Sequence, residues 1–272
     1  IIMNDSIEAL KDLGISIETL SLKTKGETSN TFIGNYEGKK IVVKIFKDLA
    51  LKEMNHDFLS IDLNQLSEQK LFPNIIHISE KKDFLIYEYF NSSTYKVDRD
   101  FIEQLGSKIK QLHKVKSKLP IRSFFQKVNQ YKSELVDVDN KHIFEDLYSL
   151  LNENKTEIND LVFSHNDLNI TNVLINKDIC FIDYDYVTLN NKYCDLARVI
   201  DEFNLNDNQT QFLMNGYDND DNSEVAYKIE TWKKINAYLD YIWILFLQKK
   251  GLVKKHSSQH AQYLSKINLF QQ

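Results

Sequence analysis

Cysteine, arginine and long apolar runs are all scarce in this chain, and two of the three scarcities remove whole classes of protein. Of 272 residues only Cys180 and Cys194 are cysteines, too few for a disulfide framework or a Cys-rich zinc site. A reducing, cytoplasmic setting is therefore expected. The longest apolar run near the C-terminus, Tyr238 to Leu247, is interrupted by Asp240 and falls short of the roughly 20 apolar residues that a membrane span needs. No charged-then-apolar leader precedes Asp5, so neither a secretory signal nor membrane insertion is expected. Acidic side chains outnumber basic ones 39 to 34, which speaks against a broad nucleic-acid footprint. Only Arg99, Arg122 and Arg198 supply arginine among the 34 basic residues; that bias carries no functional message.

What is present is a globular composition, 42% hydrophobic and 27% charged, without the signature of disorder or of a fibre. No period of a repeat architecture is visible. Thr31 to Tyr36 and Lys40 to Phe46 are β-branched or apolar runs joined by Glu37-Gly38-Lys39, a hairpin signal. A helical pattern through Phe58, Leu59, Leu63 and Leu66 stops before Pro73, and Asn74 to Ser79 and Phe84 to Phe90 read as further strands. After Asn91 to Thr94, helical spacing takes over at Asp98 to Val115, with Phe101, Ile102, Leu105, Ile109 and Leu112 on one face. Short β-runs return at Leu161 to Phe163, Val173 to Ile175 and Ile179 to Ile182, and the remainder from Asp195 is helical and aromatic-rich. The expected fold class is α+β, with a β-rich lobe over residues 1–90 and a mainly helical lobe over 91–272.

The densest polar cluster, His165-Asn166-Asp167-Leu168-Asn169-Ile170-Thr171-Asn172, lies between those central β-runs, and Asp183-Tyr184-Asp185-Tyr186 follows the last of them. Polar side chains in a loop between buried strands are costly without a purpose. A carboxylate at Asp167 can orient a hydroxyl and take its proton, while the Asn172 amide and the Asp183 carboxylate are hard oxygen ligands for Mg²⁺. The alternative is a loop whose Asp and Asn merely cap turns. If the strand runs on, alternation sets Asp183 and Asp185 on one face. Lys44 stands among apolar neighbours in Ile41 to Phe46, and lysines are rarely buried unpaired. Its acidic partner is open among Glu53, Asp57 and Glu68, with the apolar spacing favouring Asp57; an edge-strand lysine facing water is the other reading. Gly26 to Asn30 falls where a phosphate-covering loop would lie, and a plain hairpin turn is equally compatible.

H-x-D-x4-N followed by an Asp after a strand resembles the protein-kinase-like phosphotransferases. Within them the chain is similar to the choline and ethanolamine kinases, in the wider family of the aminoglycoside phosphotransferases. His165 to Asn172 looks like their catalytic loop, Ile182 to Tyr186 like their metal motif, Asp195-Leu196-Ala197 with Glu202 like the segment after it, and Leu105-Gly106 to Leu112-His113 like the helix opening their larger lobe. The resemblance implies a two-lobed kinase-like fold and an ATP- and Mg²⁺-dependent transfer to the hydroxyl of a small amine. Asp167 would be the base, Asn172 and Asp183 the metal ligands, and Lys44, Ser29, Asn30, Asp57 and the backbone around Glu88 to Phe90 the nucleotide contacts. Choline is the leading acceptor, with ethanolamine, thiamine or an aminoglycoside as alternatives. A quaternary ammonium needs aromatic faces and a carboxylate, and Asp185, Tyr186, Glu202, Trp243 and Phe246 are the candidates, while Tyr238 and Tyr241 read as core. Arg198 has to face away or pair with Asp201 or Glu202. A pseudokinase, or a metal-dependent hydrolase using His165, Asp167, Asp183 and Asp185, are the readings from other classes. His165 is assigned to holding the loop.

Overall fold

The computed structural model describes residues 4–26, 29–47, 61–93, 95–116, 122–136, 141–218, 223–254 and 257–270. The fold is α+β, a small β-rich N-terminal lobe followed by a larger helical lobe, and the chain forms two compact units. The first gathers residues up to Tyr95 together with Thr171–Val187; the second holds Lys96–Lys116, Ile121–Ile170 and Thr188–Gln272. Residues 171–187, which begin with the last two residues of the His165–Asn172 segment, thus cluster with the N-terminal sheet.

In the first unit, β1 (Ser21–Lys25), β2 (Ser29–Tyr36), β3 (Lys39–Phe46), β4 (Ile75–Ile78) and β5 (Phe84–Glu88) form one antiparallel sheet in the order β1-β2-β3-β5-β4. The β2–β3 hairpin turns through Glu37 and Gly38 at φ 48° and 76°, the left-handed pair that matches strand twist and that glycine adopts without strain. Alternation then sorts β3. Ile41, Val43 and Ile45 bury with Leu10 of α1 (Asn4–Asp12), Phe32, Phe84 and Ile86, each side chain contributing about 1.5 to 3 kcal/mol. Val42, Lys44 and Phe46 take the other face, also buried. Helix α2 (Leu63–Glu68) starts where Asp62 accepts from the Gln65 N–H at 3.2 Å; Phe58 and Leu59 lie outside the described residues.

Two three-residue strands, β7 (Val173–Ile175) and β8 (Ile179–Phe181), make a hairpin too small to be stable alone. It is anchored within its unit: the Phe181 N–H donates to Leu71 O at 2.9 Å, the Ser93 N–H to Ile175 O at 2.8 Å and the Tyr184 hydroxyl to Leu71 O at 3.0 Å.

The second unit contains α3 (Arg99–His113), α4 (Phe124–Glu134), α5 (Lys141–Glu153), β6 (Val162–Ser164), β9 (Thr188–Asn190), α6 (Tyr193–Glu202), α7 (Asp207–Tyr217), α8 (Ser223–Lys249) and α9 (Ser258–Phe270). Asp98 caps α3 through the Phe101 N–H at 3.1 Å, and capping boxes at Ser123/Gln126 and Asn206/Gln209 start α4 and α7. Helices α3 and α7 approach closely at two glycines: a Cβ on Gly106 would lie 2.2 Å from Leu213 O, and one on Gly216 2.0 Å from Glu103 O. Strand β9, which no alternation announces, pairs antiparallel with β6.

Candidate active site

Lys44 is buried, and its ammonium donates to Asp185 Oδ1 and Oδ2 at 2.9 and 3.0 Å and also to Asp183. Burial opposes the charge, but the two carboxylates overcome it and hold the lysine pKa above its ordinary value. Both partners come from the segment after β8. The strand does not run on to Asp185 as alternation supposed: it ends at Phe181, Asp183 takes a left-handed backbone (φ 71°) and a 3₁₀ turn, Tyr184–Tyr186, follows. Such a conformation is costly for a non-glycine residue, and Asp, like Asn, tolerates it better than most. It turns both carboxylates toward the same ammonium. Asp185, expected to face an acceptor, is buried against Lys44 instead. Of the acids expected to hold Lys44, Glu53 and Asp57 lie outside the described residues, and Glu68 is exposed on α2.

Asn172 is buried at the end of the 3₁₀ turn Ile170–Asn172, and its carbonyl accepts from the Ile182 N–H at 3.0 Å. That bond ties the loop's last residue to the residue before Asp183. At the start of β2, Ser29 is buried, its carbonyl accepting from the Gly26 N–H at 3.0 Å, and Asn30 has a buried Oδ1 without a hydrogen-bond partner among the described residues. A cavity of about 300 Å³ opens in the same unit, lined by Phe72, Glu88, Tyr89, Phe90, Ile179 and Cys180. The Glu88 carboxylate is engaged by Asn74 at 2.9 Å and by Lys39. What Glu88 and Phe90 offer that cavity is largely apolar wall and backbone.

In the second unit the loop hangs from one carboxylate. Asp195 of α6, fully buried, accepts from the His165 N–H (2.8 Å) and the Asn166 N–H (2.7 Å), from the Ser164 hydroxyl (3.0 Å), and lies 3.0 Å from His113 Nε2 of α3. His113 Nδ1 in turn is 2.7 Å from the Tyr217 hydroxyl of α7. Burial alone would raise the Asp195 pKa, but these donors, His113 foremost, hold it below the ordinary carboxylate value. Asn166 has φ 65° and bridges Thr188 and Asn190 of β9, each at 2.8 Å. His165 is fully buried, its Nδ1 accepting from the Asp167 N–H at 3.3 Å. It holds the loop, as its assignment supposed. Asp167 is half-buried and accepts from Asn169 Nδ2 at 3.2 Å. The sequence reading gave no role to His113, Tyr217 or Asn166; a histidine at the end of an amphipathic helix carries no local sign of a partner 82 residues away.

The substrate-side expectations fare unevenly. Phe246 is fully buried, stacked on Trp243 at 5.5 Å and against Tyr131 at 5.7 Å, so its ring serves the α4–α8 core and offers no face to a ligand. Trp243, half-buried, leans on Tyr131 at 6.3 Å. Tyr186 and Glu202 are half-buried. Arg198 pairs with neither Asp201 nor Glu202 but with Asp240 of α8, in a two-pronged bond of 2.7 and 2.8 Å.

A family model of choline/ethanolamine kinases matches residues 20–243. A LicA homolog of Mycoplasma capricolum is 26% identical over 198 residues, 72% of this chain and 81% of that one. Among solved structures, choline kinase LicA from Streptococcus pneumoniae superposes with a TM-score of 0.74 at 14% identity, covering 97% of this chain and 96% of the other. A spectinomycin phosphotransferase in complex with ADP and spectinomycin gives 0.63 at 17% identity, covering 98% and 93%. The structural likenesses agree on the kinase-like fold, and the match of the family model over most of the sequence shows that this chain belongs to the choline/ethanolamine kinase family.

Proposed function

We propose that this small-molecule phosphotransferase transfers the γ-phosphoryl group of ATP, with Mg²⁺, to the hydroxyl of a small amino alcohol, choline before ethanolamine. The observation that carries the reading is the buried Lys44 held by Asp183 and Asp185, since a buried cation beside acidic oxygens is what positions nucleotide phosphates and their metal. The donor set fits magnesium. Asp183 offers a partly exposed carboxylate and Asn172 a neutral amide, and Mg²⁺ takes one or two protein oxygens with phosphates and waters completing its shell. Among the described residues no group of three or more His, Cys, Asp or Glu could hold a metal by itself, which removes support from a hydrolase built on His165, Asp167, Asp183 and Asp185. When bound, the ion neutralises charge building on the transferred phosphoryl group.

In this reading Lys44 binds the α and β phosphates, and the cavity by Glu88 to Phe90 takes the nucleobase. Asp167 accepts the acceptor's hydroxyl proton, and Asp195, through two backbone N–H groups, fixes where that carboxylate stands. The setting is cytoplasmic, in keeping with two buried cysteines that form no disulfide.

The deciding experiment is an ADP-release assay across choline, ethanolamine, thiamine and kanamycin with MgATP. Turnover stimulated by choline at the lowest KM is expected; ATP binding with no stimulation by any amine refutes the proposal in favour of a pseudokinase. Asp167→Ala is expected to lose at least about a hundredfold in kcat, the scale of a positioned base, while its ATP Kd stays within about threefold.

A further inference from the structure

Among the described residues six non-glycine residues have a positive φ, and Asn166, at 65°, is the one that immediately precedes Asp167. Strand β6 ends at Ser164. Were the chain to continue extended, alternation would turn His165 and Asp167 to the same side, yet His165 is fully buried and Asp167 half-buried. The left-handed residue between them breaks that alternation. The His165 and Asn166 N–H groups both reach Asp195, at 2.8 and 2.7 Å, and the Asp167 N–H turns back to His165 Nδ1 at 3.3 Å. A residue with a Cβ resists such a backbone, Asn less than most.

The Asn166 amide is engaged in holding the turn. Its Oδ1 accepts from Asn190 Nδ2 at 2.8 Å, and its Nδ2 donates to Thr188 Oγ1 at 2.8 Å and to Ser164 O at 3.3 Å. The loop is thereby fastened to β6 and β9, and backbone strain maintained by surrounding bonds gathers where a group has to be aimed. We propose that Asn166 is the positioning residue of the candidate base: its left-handed backbone takes Asp167 out of the alternation of β6 and presents its carboxylate to the acceptor hydroxyl, and its amide anchors that turn to β9. The proposal rests on the reading of Asp167 as the base. Its two parts separate in mutants, because glycine meets the backbone requirement without the amide and alanine meets neither.

The test runs the ADP-release assay and thermal unfolding on the wild type, Asn166→Gly and Asn166→Ala, with MgATP and choline or whichever amine the wild type turns over fastest. Both variants lose the bonds to Thr188 and Asn190 and are expected to melt several degrees lower. Asn166→Gly, free to adopt the turn, is expected to hold kcat within about threefold. Asn166→Ala is expected to lose about tenfold or more in kcat, the weight of a left-handed backbone on a residue with a Cβ, with the KM for ATP unmoved in both. A residue that served folding alone would move kcat alike in the two variants. Equal kcat in Asn166→Gly and Asn166→Ala, whether both retained or both lost, overturns the proposal. If Asn166→Ala does not fold, Asn166→Gly decides: a kcat within about threefold of the wild type sustains the proposal, and a loss of about tenfold overturns it. A wild type that turns over no amine refutes the underlying activity, an outcome distinct from intact turnover with the two variants alike.

Discussion

At the scale of single residues the molecule is governed by two buried charges, each held by several partners. Asp195 carries four donors at 2.7 to 3.0 Å with no exposure. Asp195→Asn keeps the shape but replaces an acceptor oxygen with an amide donor facing N–H groups, and breaking a buried charge network costs about 3 to 5 kcal/mol. The expected result is a fall in thermal midpoint of several degrees in calorimetry, together with a lower kcat because the loop bearing Asp167 loses its tether. Lys44→Met takes the ammonium away from Asp183 and Asp185, so the melting temperature falls, and added MgATP no longer raises it. Retention of the nucleotide-induced shift in that variant would remove Lys44 from the nucleotide site. Lys44 was legible in the sequence because a lysine among Ile41, Val42, Val43, Ile45 and Phe46 has no cheap place in a sheet. That Asp183 and Asp185, 139 and 141 residues away, also hold it was not, because no local pattern joins positions so far apart.

At the scale of elements, period and capping account for the helices, and close approach accounts for their pairing. Helix α3 follows from Asp98 as cap and from its apolar stripe. That it packs on α7 follows from Gly106 and Gly216, which let the backbones meet. Gly216→Ala would drive a methyl into Glu103 O, forcing the helices apart at about 1 to 3 kcal/mol or more. Because α3 brings His113 to Asp195 and α7 brings Tyr217 to His113, this substitution, outside the candidate site, is expected to lower kcat as well as the unfolding midpoint in urea. A surface control such as Glu145→Ala, in the exposed pair with Lys141, changes neither by more than experimental scatter. Strands β7 and β8 were readable as apolar triplets. Strand β9 was not, since Thr188-Leu189-Asn190 has no pattern of its own and is held by hydrogen bonds from β6 and from Arg122 O to the Leu189 N–H.

For the whole molecule, stability depends on pH through the same two groups. Asp195 has a lowered folded pKa, so its contribution is complete above the unfolded value near 3.9 and is lost as pH falls through and below it. Lys44 has a raised one, so its contribution is complete below about 10.4 and is lost as pH climbs beyond. Thermal midpoints are therefore expected to decline at both extremes, with Asp195→Asn flattening the acid limb and Lys44→Met the alkaline one; unchanged limbs would separate these groups from the pH response. Chelation of divalent metal is expected to stop turnover in the ADP-release assay, and added Mg²⁺ to restore it. The sequence by itself determined the class of fold, the strand and helix periods, and the residue types able to do phosphoryl transfer, since these depend on local pattern and chemical identity. Only the tertiary structure decided which charges meet: Lys44 with Asp183 and Asp185, Asp195 with His113, Arg198 with Asp240. Coulombic and hydrogen-bond partnership depends on distance in space, and the chain brings those atoms together only once its apolar faces have packed.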